Sequence, residues 1–185
     1  MTRDARIVLR TNIELTRQNF HRMLNMIPEK ALTQPSKNPA WTNGELLMQM
    51  CIAPRRILSN MKNVADHSWI YPPVLKLFPM PLRDKLNERY VRYEASTSTP
   101  LSLGIEFDKT CLFTLKLLEG MWDQDFETPL LTIEDALLSG NITRREMFGY
   151  LPYCFNTYSQ QLDIRETQFS DPAFQIIPRK PSAGQ

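Results

Sequence analysis

Apolar residues recur at spacings of three and four in four separate stretches, the mark of helices that each bury one side. The clearest is Trp41 to Lys62, where Leu46, Met50, Ala53, Ile57 and Met61 line one face. Thr42 stands three residues before Glu45, so this stretch opens on a capping box, in which each side chain satisfies a backbone N–H left free at a helix start. Thr143-Arg144-Arg145-Glu146 repeats the device, and Met147, Leu151, Cys154, Tyr158 and Leu162 form the stripe after it. From Asp4 to about Ile27, a first helix carries Leu9, Ile13, Phe20, Leu24 and Ile27 on one face, and Pro28 stops it. Another opens at Pro100 or Ser102 with Leu103, Phe107, Cys111, Leu115, Leu118 and Trp122, and ends at Gly120 and the Asp123-Gln124-Asp125 cluster.

The connections follow from the prolines. Glu29 to Ala40 holds Pro35 and Pro39 amid polar residues and reads as an ordered loop. Pro54 lies inside the second helix and cannot donate to Met50, which predicts a kink or a short break near Met50 to Pro54. Tyr71-Pro72-Pro73 and Phe78-Pro79-Met80-Pro81 punctuate a long connection with a short helix from Leu82 to about Glu94. That length predicts a crossover in place of a tight hairpin. Phe126 to Ile142 offers Leu130, Leu131, Ile133, Leu137 and Leu138 for docking before a Gly140-Asn141 turn, and Pro152 falls inside the last helix. The expectation is an all-α four-helix bundle with a long crossover between helices 2 and 3. It occupies residues 1–170, and residues 171–185 form a Pro-rich, partly mobile tail.

Composition changes this picture little. With 42% hydrophobic and 23% charged residues the chain resembles an ordinary globular domain, and 185 residues suit one core. A net charge of +2 supplies no long-range field to attract nucleic acid or an anionic membrane, so neither is expected as a partner. Cys51, Cys111 and Cys154 are an odd number without a CxxC, which argues for a reducing compartment. The charged N-terminal stretch lacks a signal peptide's apolar run, and a cytoplasmic protein is expected.

Candidate chemistry is sparse. There is no Gly-rich phosphate loop, no G-x-S-x-G elbow and no HExxH. Of the two histidines, His21 follows a core phenylalanine and is expected at the surface, and His67 sits in a loop beside Asp66. Glu106, Asp108 and Glu119 are expected as solvated carboxylates, and Arg55-Arg56 and Arg144-Arg145 as solvated cations.

The order of elements, with WTNGELLMQM opening helix 2 and YCFNTYSQQLDIRE late in helix 4, resembles the DinB/YfiT-like family. Its members start helix 2 with a tryptophan, a capping residue and a Gly-Glu-apolar run ending in histidine, and carry H-x3-H followed by Gln-apolar in helix 4. Trp41, Thr42, Gly44 and Glu45 match the first motif; Phe155, Gln161 and Leu162 match the second. MLNMIPEKAL is similar to the family's exit from helix 1, so the resemblance spans roughly residues 5 to 167.

The resemblance implies a divalent metal, often zinc or nickel, held by three histidines inside the bundle, where in some members it activates a thiol cofactor. Here those positions fall on Gln49, Cys154 and Tyr158. A carboxamide oxygen is a weak ligand and a phenol with a pKa of about 10 is seldom ionised at neutral pH, so no metal and no cofactor are expected. Cys154 is expected as a packed thiol, and Gln49 and Tyr158 as hydrogen-bonded to one another across the former metal position. The expected function is that of a DinB-like protein with no catalytic residues, binding a small apolar ligand at Gln49, Cys154 and Tyr158 or acting as an interaction scaffold. The alternative is a thiol- or metal-dependent transferase or hydrolase of the DinB/YfiT type using Cys154. A homodimer through helix faces is compatible with either.

Overall fold

Thr42 and Glu45 close the first capping box: the Thr42 N–H donates to Glu45 Oε2 at 2.7 Å, and the Glu45 N–H to Thr42 Oγ1 at 3.2 Å. Thr143 and Glu146 close the second in the same reciprocal way. The computed structural model describes residues 3–65, 80–127, 129–130 and 142–163. Its helices are α1 (Arg3–Met26), α2 (Asn43–Ala65), α3 (Met80–Ser96), α4 (Pro100–Gly120), α5 (Arg144–Phe148) and α6 (Tyr150–Ser159). Two-residue strands β1 (Pro129–Leu130) and β2 (Ile142–Thr143) pair antiparallel ahead of α5. His67, Leu131, Ile133, Leu137, Leu138, the Gly140-Asn141 turn and the 171–185 tail lie outside the described residues.

α4 packs on α1 and α2, and α6 on α2 and α1, so these four helices close a ring in the order α1, α4, α2, α6. Contacts between α1 and α4 run in opposite senses, from Arg6 with Met121 to His21 with Asp108. Those between α2 and α4 run in the same sense, from Cys51 with Leu103 to Arg55 with Glu106. Parallel neighbours need a crossover, as the long connection predicts, and α3 makes the return. Arg92 near its end donates to the Ala40 carbonyl and stacks over Trp41, 5.5 Å from the ring centre, beside the start of α2.

The predicted stripes point inward. Ile13, Phe20 and Leu24 of α1 with Ile27 just past its end, Leu103, Phe107, Cys111 and Leu118 of α4, and Met147, Leu151, Cys154 and Leu162 are buried. Phe20 joins them, stacked on Phe107 at 3.9 Å between ring centres and meeting the edge of Phe155 at 6.5 Å. α2 is buried beyond its stripe, since Leu47, Met48, Cys51 and Leu58 join Leu46, Met50, Ala53 and Ile57. A helix covered on one side by the bundle and on the other by α3 needs apolar residues nearly all round.

Three expectations need correction. Trp122 is 74% exposed, because the helix ends at Gly120 and the chain turns away before Trp122 can continue the stripe. The last helix is two helices, broken at Gly149. Pro152, three residues further on, cannot donate to the Phe148 carbonyl, and the ladder resumes with the Tyr153 N–H on the Gly149 carbonyl at 3.1 Å. The short break near Pro54 is absent, since α2 runs continuously from Asn43 to Ala65. One residue on from the Met50 carbonyl that Pro54 leaves without its helical donor, the Thr110 hydroxyl of α4 donates at 2.7 Å to the Cys51 carbonyl and ties α2 to α4 at this turn.

Candidate functional site

The residues that carry the family resemblance build one corner of the bundle. Trp41 lies under the Arg92 guanidinium, and Thr42 and Glu45 cap α2. Asn43 is fully buried; its amide donates to the Ala31 carbonyl at 3.0 Å, and its Oδ1 accepts the Asp163 N–H at 2.9 Å. A Cβ on Gly44 would sit 3.0 Å from the Leu32 carbonyl oxygen, which already accepts the Gly44 N–H at 2.8 Å, so only glycine allows this approach. At the other end, Asn38 donates to the Gln161 side chain at 2.8 Å, and the Lys37 N–H to the Gln161 carbonyl at 2.9 Å. The matched motifs thus fasten the loop between α1 and α2 to the last turn after α6.

Gln49 comes a turn beyond Glu45 on α2, and Cys154 and Tyr158 lie one turn apart on α6, the helix packed against α2. Gln49 is buried, Cys154 is wholly buried and Tyr158 is half-buried at the edge of the core. A neutral carboxamide, a core thiol and a phenol are a poor donor set for zinc or nickel, which bind best to imidazole and thiolate. The residues present do not fit a metal of the family type. Among the described residues, no group of three or more histidine, cysteine or acidic side chains is placed to hold an ion.

None of the three cysteines forms a disulfide, and the other two are also buried. Burial pushes Cys51 well above the ordinary thiol range, and its Sγ donates to the Leu47 carbonyl at 3.3 Å. Burial, with the Asp108 charge behind it, pushes Cys111 up to about 12. Neither is a ready nucleophile at neutral pH.

Titratable side chains meet elsewhere, on the seams that α4 makes with its neighbours. Asp108 Oδ1 accepts from Arg17 Nε at 2.7 Å and lies 2.7 Å from His21 Nε2. Burial alone would raise the Asp108 carboxyl; the bonds and charges of Arg17 and His21 outweigh it and hold the group below its usual range. Gly104 makes room for the imidazole, since a Cβ there would lie 3.1 Å from His21 Cε1. A shallow groove of about 490 Å³ runs over this side of α1, lined by Glu14, Arg17, Gln18, His21, Arg22 and Asn25. On the α2 seam, Arg55 donates to Thr110 Oγ1 and to the Glu106 carbonyl, both at 2.9 Å, and Lys109 holds the Glu106 carboxylate at 2.5 Å.

These contacts correct the expectation of solvated charges at Arg55, Glu106 and Asp108, each about two-thirds covered; His21 lies at the surface as expected, and Glu119 stays exposed, 3.4 Å from Arg10. Spacing within one helix carries no signal for them, because each pair joins helices far apart in the chain. No helix among the described residues is long and apolar enough to cross a membrane.

No protein-family model matches the chain, and no curated protein matches it. Two solved structures share its fold. The crystal structure of the mycothiol-dependent maleylpyruvate isomerase superposes with a TM-score of 0.62 at 17% identity, and that of a histidine-to-alanine mutant of it with 0.63 at 16%. Each match covers 91% of this chain, which spans 65% of those neighbours' length. At such identities the likeness establishes the fold: this chain has the DinB-like all-α architecture.

Proposed function

We propose that this chain is a divergent DinB-like protein whose interior metal position has been given over to packing. It binds a small apolar ligand between its helices, or holds a partner, without catalysis. One observation carries this reading: the three positions that the resemblance assigns to metal ligands hold Gln49, Cys154 and Tyr158, with the thiol wholly enclosed and the carboxamide buried. A thiol wholly enclosed among apolar side chains packs as a small apolar group, and its burial disfavours the thiolate that a nucleophile needs. The motif residues kept around it serve the frame, so the architecture persists where the chemistry does not. In this reading Gln49 and Tyr158 hydrogen-bond across the space, and a double-substitution cycle of Gln49→Leu and Tyr158→Phe gives a coupling of about 1 kcal/mol.

Metal analysis of protein purified without chelator tests the reading, with well below one equivalent of zinc or nickel per chain expected. A near-stoichiometric ion that is lost in Cys154→Ala would overturn it.

The second reading, a thiol-dependent transferase or hydrolase working through Cys154, draws support from the mycothiol-dependent isomerase that shares the fold. Thiol titration separates the two. A protected Cys154 that reacts only on unfolding fits binding, and a fast-reacting one fits catalysis. A homodimer is compatible with both, and sizing in dilute solution decides it.

A further inference from the structure

Away from Gln49 and Cys154, α3 carries a surface that no described element of the bundle covers. The helix packs against α2, and among its described side chains Val91 alone is fully buried. Leu82, Leu86, Tyr90 and Tyr93 follow at intervals of four, four and three, so they line one face on the side away from Val91. They are 40%, 41%, 53% and 70% exposed. A helix of this length gains most of its stability from packing, and a second apolar face left in water marks a docking surface.

The charges around that face say what fits it. By the same period Arg89 lies on the stripe and Lys85 at its edge; both are exposed and make no ion pair among the described residues. Asp84 and Glu88 fall on the Val91 side, where Glu88 is held by Arg92 at 2.7 Å, and Glu94 lies at the far rim, where burial of the ring and the Glu94 charge raise the Tyr90 phenol. The stripe therefore shows leucine, tyrosine and positive charge that no described carboxylate pairs, and the acidic side chains of α3 lie at its rim or on the Val91 side. Tyrosine and arginine are side chains that concentrate binding energy at protein contacts. A second copy is a poor occupant, because two-fold pairing of the stripe with itself brings Lys85 and Arg89 of both chains to the same rim.

We infer that the outer face of α3 docks an acidic amphipathic segment of another protein. Apolar side chains of that segment cover Leu82, Leu86 and Tyr93, and its carboxylates meet Lys85 and Arg89. This assignment stands whether or not the Gln49 and Cys154 corner binds anything.

The test uses the full chain and two synthetic helical peptides with leucine and phenylalanine at positions i, i+3, i+4 and i+7. One carries glutamate at the remaining positions and the other lysine. Fluorescence anisotropy is expected to show saturable binding of the acidic peptide and roughly tenfold weaker binding of its lysine twin. Leu86→Ser with Tyr93→Ala should weaken the acidic peptide about tenfold while leaving the melting curve unchanged. Lys85→Glu with Arg89→Glu should reverse the preference between the peptides. Equal binding of both peptides, no saturable binding, or indifference to the double substitution overturns the inference. So does sedimentation with phosphatidylcholine and phosphatidylserine vesicles, or a solution dimer, that Leu86→Ser with Tyr93→Ala abolishes, since either gives the face to a different occupant.

Discussion

His21 and Asp108 meet across the seam between α1 and α4, the imidazole Nε2 2.7 Å from the carboxylate Oδ1, on the same oxygen that takes Arg17 Nε. The Asp108 carboxyl is held below its ordinary range in the folded chain, so its contribution to stability is full above the unfolded value of about 3.9 and is lost as pH falls through the folded one. Asp108→Asn keeps the oxygen and removes the charge. Allowing for partial exposure, it should cost about 1 kcal/mol at neutral pH. Urea midpoints measured from pH 7 downward should converge with those of the parent as acid neutralises the carboxylate. A constant gap would mean that the charge contributes nothing.

Gly44→Ala tests the close approach at the start of α2. Alanine is the better helix former by about 1 kcal/mol, so an unhindered site would be stabilised. The Leu32 carbonyl oxygen stands 3.0 Å from where the new methyl must go, and it is backbone. Overpacking there should outweigh the propensity gain and lower stability by about 1–2 kcal/mol, read from thermal melting.

Thr110→Val removes a hydroxyl that gives its proton to the Cys51 carbonyl and receives Arg55. The volume is nearly conserved, so the loss should come from the buried carbonyl and a guanidinium deprived of one acceptor, about 2 kcal/mol in all. Thr110→Ser should restore most of it. If valine and serine behave alike, the hydroxyl is not what matters.

Arg6 donates to the Leu118 and Met121 carbonyls and to Asp123, and its guanidinium lies 4.9 Å from the centre of the Phe126 ring. It thus closes the open end of α4, where carbonyls lack helical partners. Arg6→Ala should speed amide exchange in the last turn of α4 and in residues 121–126, with the α2 amides unchanged. Arg6→Lys should rescue little, because a single ammonium cannot serve several acceptors in a fork.

Periodicity and capping made the bundle legible in advance. Thr42 with Glu45 and Thr143 with Glu146 lie close in sequence, so both boxes could be read locally, and the stripes located the core. The third long helix hid its own signal: Thr99 caps it with Ser102 in the place usually held by glutamate or glutamine. The break at Gly149 was missed because the stripe from Met147 to Leu162 keeps its spacing across it, and only the backbone records the gap. Gln49, Cys154 and Tyr158 could be named from the resemblance alone. That Gly44 is a matter of contact with Leu32, and that Arg17, His21 and Asp108 share one oxygen, depend on partners a dozen to ninety positions away, which no local pattern encodes.

The hydrogen bond from the Asp163 N–H to Asn43 joins positions 120 residues apart. On the ribosome, the Asn43 carboxamide is made long before the backbone group that answers it. Until Asp163 has cleared the exit tunnel, a buried amide at the mouth of α2 must turn to water or to a substitute, and the corner stays ajar. A nascent chain of this protein therefore completes its first inter-helix loop only after α6 has emerged, and a truncation just short of Asp163 should leave that loop, far upstream, the part most open to protease.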